Sequence, residues 1–173
     1  MATRLSDRNT GSSANAITVQ GGDVFVAGSI DYDPYGNEAA YWKNGVSTIL
    51  TPMTRFGAAA NSIAVNGGDI YVAGATTYSS ASSSTATYWK NGNHIRLADS
   101  LYASSADKIL IEGNDIYISG NTSDGSSIFK PSYWKNGSLT TLAGASIDAA
   151  PHCSTTKRRR RRGGWWSARW RCC

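Results

Sequence analysis

The sequence is poor in the residues that build metal sites and disulfides. Its 173 residues contain three cysteines, all beyond residue 152, and only two histidines, His94 and His152. We therefore expect neither a disulfide nor a thiolate metal site in residues 1–150, and two histidines so far apart do not indicate a His-based one. The acidic stretch 31–38 departs from an EF-hand loop at its third ligand position, which holds Tyr35, and Trp42 stands where the twelfth position needs Glu. This leaves a looser calcium loop as the alternative. We expect no metal and no cofactor.

Long apolar runs and catalytic motifs are also lacking. No apolar run reaches the roughly 18 residues of a membrane-spanning helix, and the polar start of the chain, residues 1–5, is unlike a signal peptide. Serine and threonine are abundant, but no Gly-x-Ser-x-Gly motif accompanies them. We therefore expect no membrane span and no catalytic residue. The compartment stays open, with a secreted or cell-surface parent protein as one alternative.

The net charge of +5 is the sum of two unlike parts of the chain. Residues 1–150 carry 9 Lys and Arg against 12 Asp and Glu, a net charge of −3. Residues 151–173 carry 8 Lys and Arg and no acid, a net charge of +8. Because composition, charge and cysteine usage all change near residue 151, we interpret residues 151–173 as a disordered tail that follows a shift of reading frame. In this interpretation the chain is a fragment of a longer protein.

The tail contains one block of consecutive basic residues, followed by Trp165, Trp166 and Trp170. Such a combination can bind nucleic acid or another polyanion. A charge run is a weak indication by itself, because most such runs are solvated. We therefore expect no nucleic-acid partner and keep polyanion binding as an alternative. The block consists of Lys157, Arg158, Arg159, Arg160, Arg161 and Arg162.

The rest of the chain is a tandem repeat. The pentapeptide Tyr-Trp-Lys-Asn-Gly stands at residues 41–45, 88–92 and 133–137, with its tryptophans 47 and then 45 residues apart. Upstream of each copy lies a segment of the type Asp-Val-Phe-Val-Ala-Gly, and its aspartates are 46 residues apart. A period of this length with strand-like composition is typical of arrays such as propellers.

Each unit is predicted to contain four short strands, A to D. Strands A and B are rich in β-branched and aromatic residues, strand C ends in Tyr-Trp, and strand D ends in Leu. Gly and Asn pairs between A and B, and Asn-Gly between C and D, predict tight hairpins. The fold class is therefore all-β, a β-propeller with about 46 residues per four-stranded blade.

The repeat also predicts where each blade begins and ends. Within a propeller region over residues 1–150, three complete blades follow one leading strand D. Propellers close with about four to eight blades. We therefore expect either an open ring fragment or half of a six-bladed dimer, with self-association closing the ring. The predicted ranges are 1–10 for the leading strand, 14–52 for blade 1, 60–99 for blade 2 and 106–143 for blade 3.

The segments Val-Ala-Gly at 26–28 and Tyr-Trp-Lys-Asn-Gly at 41–45, with their later copies, carry a family resemblance. Over about residues 3–150 the chain resembles kelch-like bacterial β-propeller repeat proteins. It departs from kelch repeats in having one glycine after strand B where those have a pair. It also lacks the Trp-Asp ending of WD40 repeats. The resemblance implies a propeller fold and no particular activity.

Several positions are identical in all three units, and residues that every repeat keeps usually serve the stacking of neighbours. We predict that the tryptophans pack between blades with the indole N–H bonded to backbone, and that the aspartates cap the turn between strands A and B. A stacking platform for a sugar is the alternative role of the tryptophans. The repeated positions are Asp23, Gly28, Trp42, Gly45, Asp69, Gly74, Trp89, Gly92, Asp115, Gly120, Trp134 and Gly137.

The links between strands B and C and between D and the next A are long and differ between units, whereas the A–B and C–D turns are short and alike. In a meander the two long kinds of link lie at one end, so we predict a non-catalytic module that binds protein or carbohydrate through this variable face. A propeller enzyme such as a glycosidase or an oxidase is the alternative. The candidate contact residues are Tyr32, Tyr35, Phe56, Tyr78, Tyr102 and Phe129.

Overall fold

The computed structural model describes residues 11–32, 36–51, 57–78, 83–99, 101–125 and 128–142. The predicted leading strand over 1–10 and the tail over 151–173 lie outside these residues. Within them the chain forms twelve strands in three separate antiparallel sheets, and no helix. The strands are β1 (Ser12–Gln20), β2 (Asp23–Tyr32), β3 (Gly36–Lys43), β4 (Val46–Ile49), β5 (Ala58–Asn66), β6 (Asp69–Thr76), β7 (Thr85–Lys90), β8 (Asn93–Arg96), β9 (Ser104–Glu112), β10 (Asp115–Thr122), β11 (Lys130–Lys135) and β12 (Ser138–Thr141).

Each sheet is a four-stranded meander whose strands follow one another in chain order. We name the sheets blade 1 (β1–β4), blade 2 (β5–β8) and blade 3 (β9–β12). Their strands coincide with the A, B, C and D segments of the repeat. The prediction of an all-β fold made of four-stranded propeller blades is therefore confirmed.

The repeated Asn-Gly pairs form the hairpin between the last two strands of every blade. In blade 1, Lys43 pairs with Val46, so that Asn44 and Gly45 make a two-residue loop. Their φ angles are 50° and 86°, as a type I′ turn requires, and Asn and Gly are the residues that adopt positive φ at least cost. The other two blades repeat this turn at residues 91–92 and 136–137.

The repeated glycine within each second strand lies against a bulge in the first strand. In blade 1 the pairing register shifts between Ala14 and Ala16. A Cβ atom added at Gly28 would stand 1.8 Å from the carbonyl oxygen of Ser13. The corresponding distances at Gly74 and Gly120 are 2.0 and 1.9 Å, again to backbone carbonyl oxygens. The repeat keeps glycine here because the bulge brings backbone too close for any side chain.

The three blades stack face to face, and each apolar core lies between two blades. We call the face that a sheet turns toward the preceding blade its leading face, and the opposite one its trailing face. The leading face carries the repeated tryptophan, and the trailing face carries Phe25, Tyr71 or Tyr117. The core between blades 1 and 2 includes Phe25, Ala27, Ala39 and Leu50 from blade 1 and Ile63, Val72 and Trp89 from blade 2. The core between blades 2 and 3 includes Tyr71, Ala73 and Ala86 from blade 2 and Ile109, Ile118 and Trp134 from blade 3.

Candidate functional site

The six aromatic residues predicted to contact a ligand fall into three groups. Tyr35, Phe56 and the side chain of Tyr32 lie outside the described residues. Tyr102 and Phe129 lie together, beside a cavity of about 350 Å³. Tyr78 lies apart from them and packs on His94 and Arg96.

A larger groove, of about 550 Å³, runs between blades 2 and 3 and shares Tyr102 with the smaller cavity. One wall is the link that follows β8, and the other is the outer part of the leading face of blade 3. The groove thus joins a D–A link to a B–C link, the two kinds of segment that vary most between repeats. Its lining residues are Leu97, Ala98, Asp99, Tyr102, Ser104, Thr122, Ser123, Asp124, Lys130, Leu139 and Thr141.

The walls of the groove are held by hydrogen bonds between the two blades and within the links. The indole nitrogen of Trp134 donates to the carbonyl oxygen of Leu97 over 3.0 Å, which ties blade 3 to the link after β8. The backbone N–H of Leu101 donates to Asp99 Oδ1 over 3.3 Å. Lys130 and Asp124 form an ion pair. The groove therefore has fixed walls and charges of both signs.

The groove offers one aromatic surface beside several polar groups. Tyr102 is 47% exposed, so that much of its ring is accessible. Asp99, Asp124 and Lys130 supply carboxylate acceptors and an ammonium donor, and serine and threonine hydroxyls do both. Sequence reasoning missed these three charged residues because it searched the links for aromatic side chains alone. Their place in the variable links was the signal that could have found them.

The equivalent position between blades 1 and 2 is filled by large side chains. The repeat places Tyr78, His94 and Arg96 where blade 3 has Asp124, Leu139 and Thr141. The hydroxyl of Tyr78 lies 2.9 Å from His94 Nε2, and the guanidinium of Arg96 lies 4.1 Å from the centre of the Tyr78 ring. Burial, and secondly the charge of Arg96, lowers the pKa of His94. These three side chains therefore pack against one another between blades 1 and 2.

Three buried polar atoms near this cluster have no hydrogen-bond partner within the described part of the chain: Thr76 Oγ1, Thr85 Oγ1 and Trp89 Nε1. Thr76 and Thr85 are paired across β6 and β7, and all three side chains belong to the leading face of blade 2. An unpartnered buried polar atom costs on the order of 1–3 kcal/mol. The two inter-blade contacts are therefore built differently, although the repeat sequence is the same.

The repeated aspartates lie at the opposite end of each blade, beside the short turns. In blade 1, Lys43 Nζ lies 2.8 Å from Asp23 Oδ2, and Asn44 Nδ2 donates to Asp23 Oδ1 over 2.7 Å. Asn44 Oδ1 in turn accepts the N–H of Val24. The hydrogen bonds from Lys43 and then Asn44 hold the pKa of Asp23 below its ordinary value. Asp69 and Asp115 have the same two kinds of partner. These clusters link the two hairpins of a blade.

Other chemistry finds little support in the described residues. Among them no three side chains of His, Cys, Asp and Glu come together as a metal site would require. None of the segments described forms a helix with the length and apolar character needed to cross a membrane. The Arg-rich block lies outside the described residues.

Comparison with known proteins identifies a fold and no family. No family model matches the sequence, and no curated protein matches it. The kelch-like resemblance therefore stays a prediction. Among solved structures, the chain is similar to a fucose lectin from Kordia zhangzhouensis in complex with methyl-fucoside. The TM-score is 0.54 at 12% identity, over 76% of this chain and 99% of the lectin chain. At this identity the likeness shows the fold alone.

Proposed function

We propose that this chain is a non-catalytic carbohydrate-binding module and that its ligand occupies the groove between blades 2 and 3. The observation that carries the proposal is the lining of that groove. Tyr102 lies beside Asp99, Asp124 and Lys130 in a concave space of about 550 Å³. This volume is within the range of small-molecule sites, roughly 300–1,000 Å³.

The chemistry of the lining suits a polyhydroxylated ring. A sugar presents hydroxyl groups around its edge and C–H groups on its faces. The ring of Tyr102 can cover a C–H face, because tyrosine joins an apolar body to a polar tip. Asp99 and Asp124 can accept hydrogen bonds from hydroxyls, and Lys130 can donate one. Hydrogen bonds to charged groups are the stronger kind, which favours such a ligand over an apolar one.

The likeness to a fucose lectin supports the same proposal at a coarse level. That protein binds methyl-fucoside on a related fold. A fold hosts many functions, so the likeness raises the expectation of glycan binding without fixing the sugar.

A glycosidase is the second candidate, because two carboxylates, Asp99 and Asp124, line one groove. Their partners argue against it. Asp124 is paired with Lys130 and Asp99 accepts the N–H of Leu101. A general acid instead needs surroundings that keep its proton in place, such as an apolar pocket. Release of free sugar from a bound glycan is the result that would favour the enzyme.

The test is a binding titration of the full chain with methyl-fucoside and a panel of other glycosides, followed by calorimetry on variants. Tyr102→Ala removes the aromatic wall, and we expect it to weaken binding of the responding glycan at least tenfold, about 1.4 kcal/mol. Asp99→Ala is expected to act in the same direction. Tyr78→Ala is the matched control, because Tyr78 lies between blades 1 and 2, and it should leave the affinity unchanged. Binding that survives Tyr102→Ala and Asp99→Ala together would place the ligand elsewhere.

A further inference from the structure

The leading face of blade 1 exposes apolar side chains that are buried in the other two blades. Ile17 is 68% exposed, whereas its counterparts Ile63 and Ile109 are 6% and 8% exposed. Val19 lies two residues further along the same strand, on the same face, and is also exposed. Ile63 and Ile109 are buried because a preceding blade covers them. Within the described part of the chain, no blade covers the same kind of surface on blade 1.

The trailing face of blade 3 is the complementary surface. Phe25 and Tyr71 are buried on the trailing faces of blades 1 and 2, but their counterpart Tyr117 is only half-buried. Leu110, in the innermost strand of the same sheet, is exposed. The trailing face of blade 3 is therefore of the same type as the faces that blades 1 and 2 pack against the next blade.

We propose that a second copy of this chain covers both surfaces, with the leading face of blade 1 in one copy packed on the trailing face of blade 3 in the other. The two contacts inside the chain show how these faces fit, since each joins a trailing face to a leading face. Propellers close with about four to eight blades. With the three blades that the described residues form, copies of the chain reach that range only as a pair, which makes six blades.

The contact between copies differs from the internal contacts in its polar groups. Asn15 donates to the carbonyl oxygen of Ala60 over 2.9 Å, and Asn61 donates to that of Ala106 over 3.0 Å. The third position of this series holds Asp107, whose carboxylate already accepts from an amide and has no N–H to donate. The contact between copies therefore lacks a hydrogen bond that both internal contacts have. We accordingly expect a dimer that dissociates on dilution.

The proposal concerns assembly and is independent of the glycan site. A cover formed by residues 1–10, or by further blades of a longer parent, is a different outcome that the experiment distinguishes.

The experiment is sedimentation velocity of the full chain over a range of concentrations. We expect a species of twice the 18.4 kDa chain mass at high concentration and the monomer on dilution. Ile17→Glu and Leu110→Glu should each raise the dissociation constant of the dimer at least tenfold. Val46→Glu is the matched control, because Val46 is 72% exposed but lies at the outer end of a face that blade 2 already covers. It should leave the equilibrium unchanged.

Mixing the two variants tests the head-to-tail arrangement. A chain with Ile17→Glu keeps its blade 3 surface and a chain with Leu110→Glu keeps its blade 1 surface, so the mixture should recover one good contact and associate more than either variant alone. A monomer at every concentration would overturn the proposal. A dimer weakened by only one of the two variants would also overturn it, because that indicates that one face packs on the same face of the other copy. Loss of association on deleting residues 1–10, with both faces intact, would assign the contact to that segment and overturn it too.

Discussion

The indole nitrogen of Trp134 lies 3.0 Å from the carbonyl oxygen of Leu97, in the preceding blade. The indole nitrogen of Trp89, one repeat earlier, is buried and has no hydrogen-bond partner within the described part of the chain. Both rings are fully buried. Identical repeat residues thus make unequal contributions to the two inter-blade contacts, and this inequality can be measured.

Replacing each tryptophan by phenylalanine separates the hydrogen bond from the packing. Trp134→Phe and Trp89→Phe remove a similar volume from a buried site, but only Trp134→Phe breaks a hydrogen bond and leaves a carbonyl oxygen behind. We expect Trp134→Phe to lower the free energy of unfolding by about 1–2 kcal/mol more than Trp89→Phe. Urea unfolding at equal protein concentration measures the difference. Equal losses would contradict the assignment of the bond to one contact.

The unpartnered hydroxyl of Thr85 predicts a stabilising substitution. Thr85→Val keeps the shape of the side chain and removes a buried hydroxyl that lacks a partner. Removing such a group recovers its desolvation cost, so we expect the free energy of unfolding to rise by about 1 kcal/mol. Thr87→Val is the control, because Thr87 Oγ1 donates to the carbonyl oxygen of Thr85 over 3.2 Å. Loss of this bond should lower the free energy of unfolding. A destabilised Thr85→Val chain would show that the hydroxyl has a partner after all.

The aspartates beside the short turns predict a loss of stability in acid. Hydrogen bonds from Lys135 and Asn136 hold the pKa of Asp115 below its ordinary value in the folded chain. A group of this kind stabilises the fold above its unfolded pKa, roughly 3.9, and the stabilisation is lost as pH falls through the folded pKa. We expect Asp115→Asn to be less stable than the parent chain at pH 7. The difference should shrink below pH 4, and a difference that stays constant with pH would contradict the account.

Gly74 predicts a large effect of adding one methyl group. A Cβ atom there would lie 2.0 Å from the carbonyl oxygen of Ala59, so Gly74→Ala must displace backbone at the bulge. We expect a loss of about 3 kcal/mol or more, with thermal unfolding as the measurement. Gly68→Ala is the control. It has positive φ but open space around it, so its cost should be limited to backbone strain of about 1–2 kcal/mol.

Local sequence determined much of this fold, because each turn depends on a few neighbouring residues. Asn-Gly predicts its two-residue hairpin at 44–45 and the glycine pair predicts the turn at 21–22, since both need positive φ. The groove could not be predicted in the same way. Asp99 and Lys130 line one groove because of the paths of the links beside them. Those links vary in length, and the repeat period does not set the path of a link. The different environments of Trp89 and Trp134 also depend on neighbouring blades and are absent from the local pattern.

The measurement that tests the glycan site most directly is the nuclear magnetic resonance spectrum of the tryptophan indole groups during a titration with glycans. Trp134→Phe assigns the signal of the indole that donates to Leu97, a residue in the wall of the groove. Trp89→Phe assigns the buried reference. We predict that a binding glycan shifts the Trp134 signal in a saturable way, leaves the Trp89 signal in place, and loses this effect with Tyr102→Ala. A glycan that binds and shifts Trp89 alone, or a panel that shifts neither signal, would contradict the proposed site.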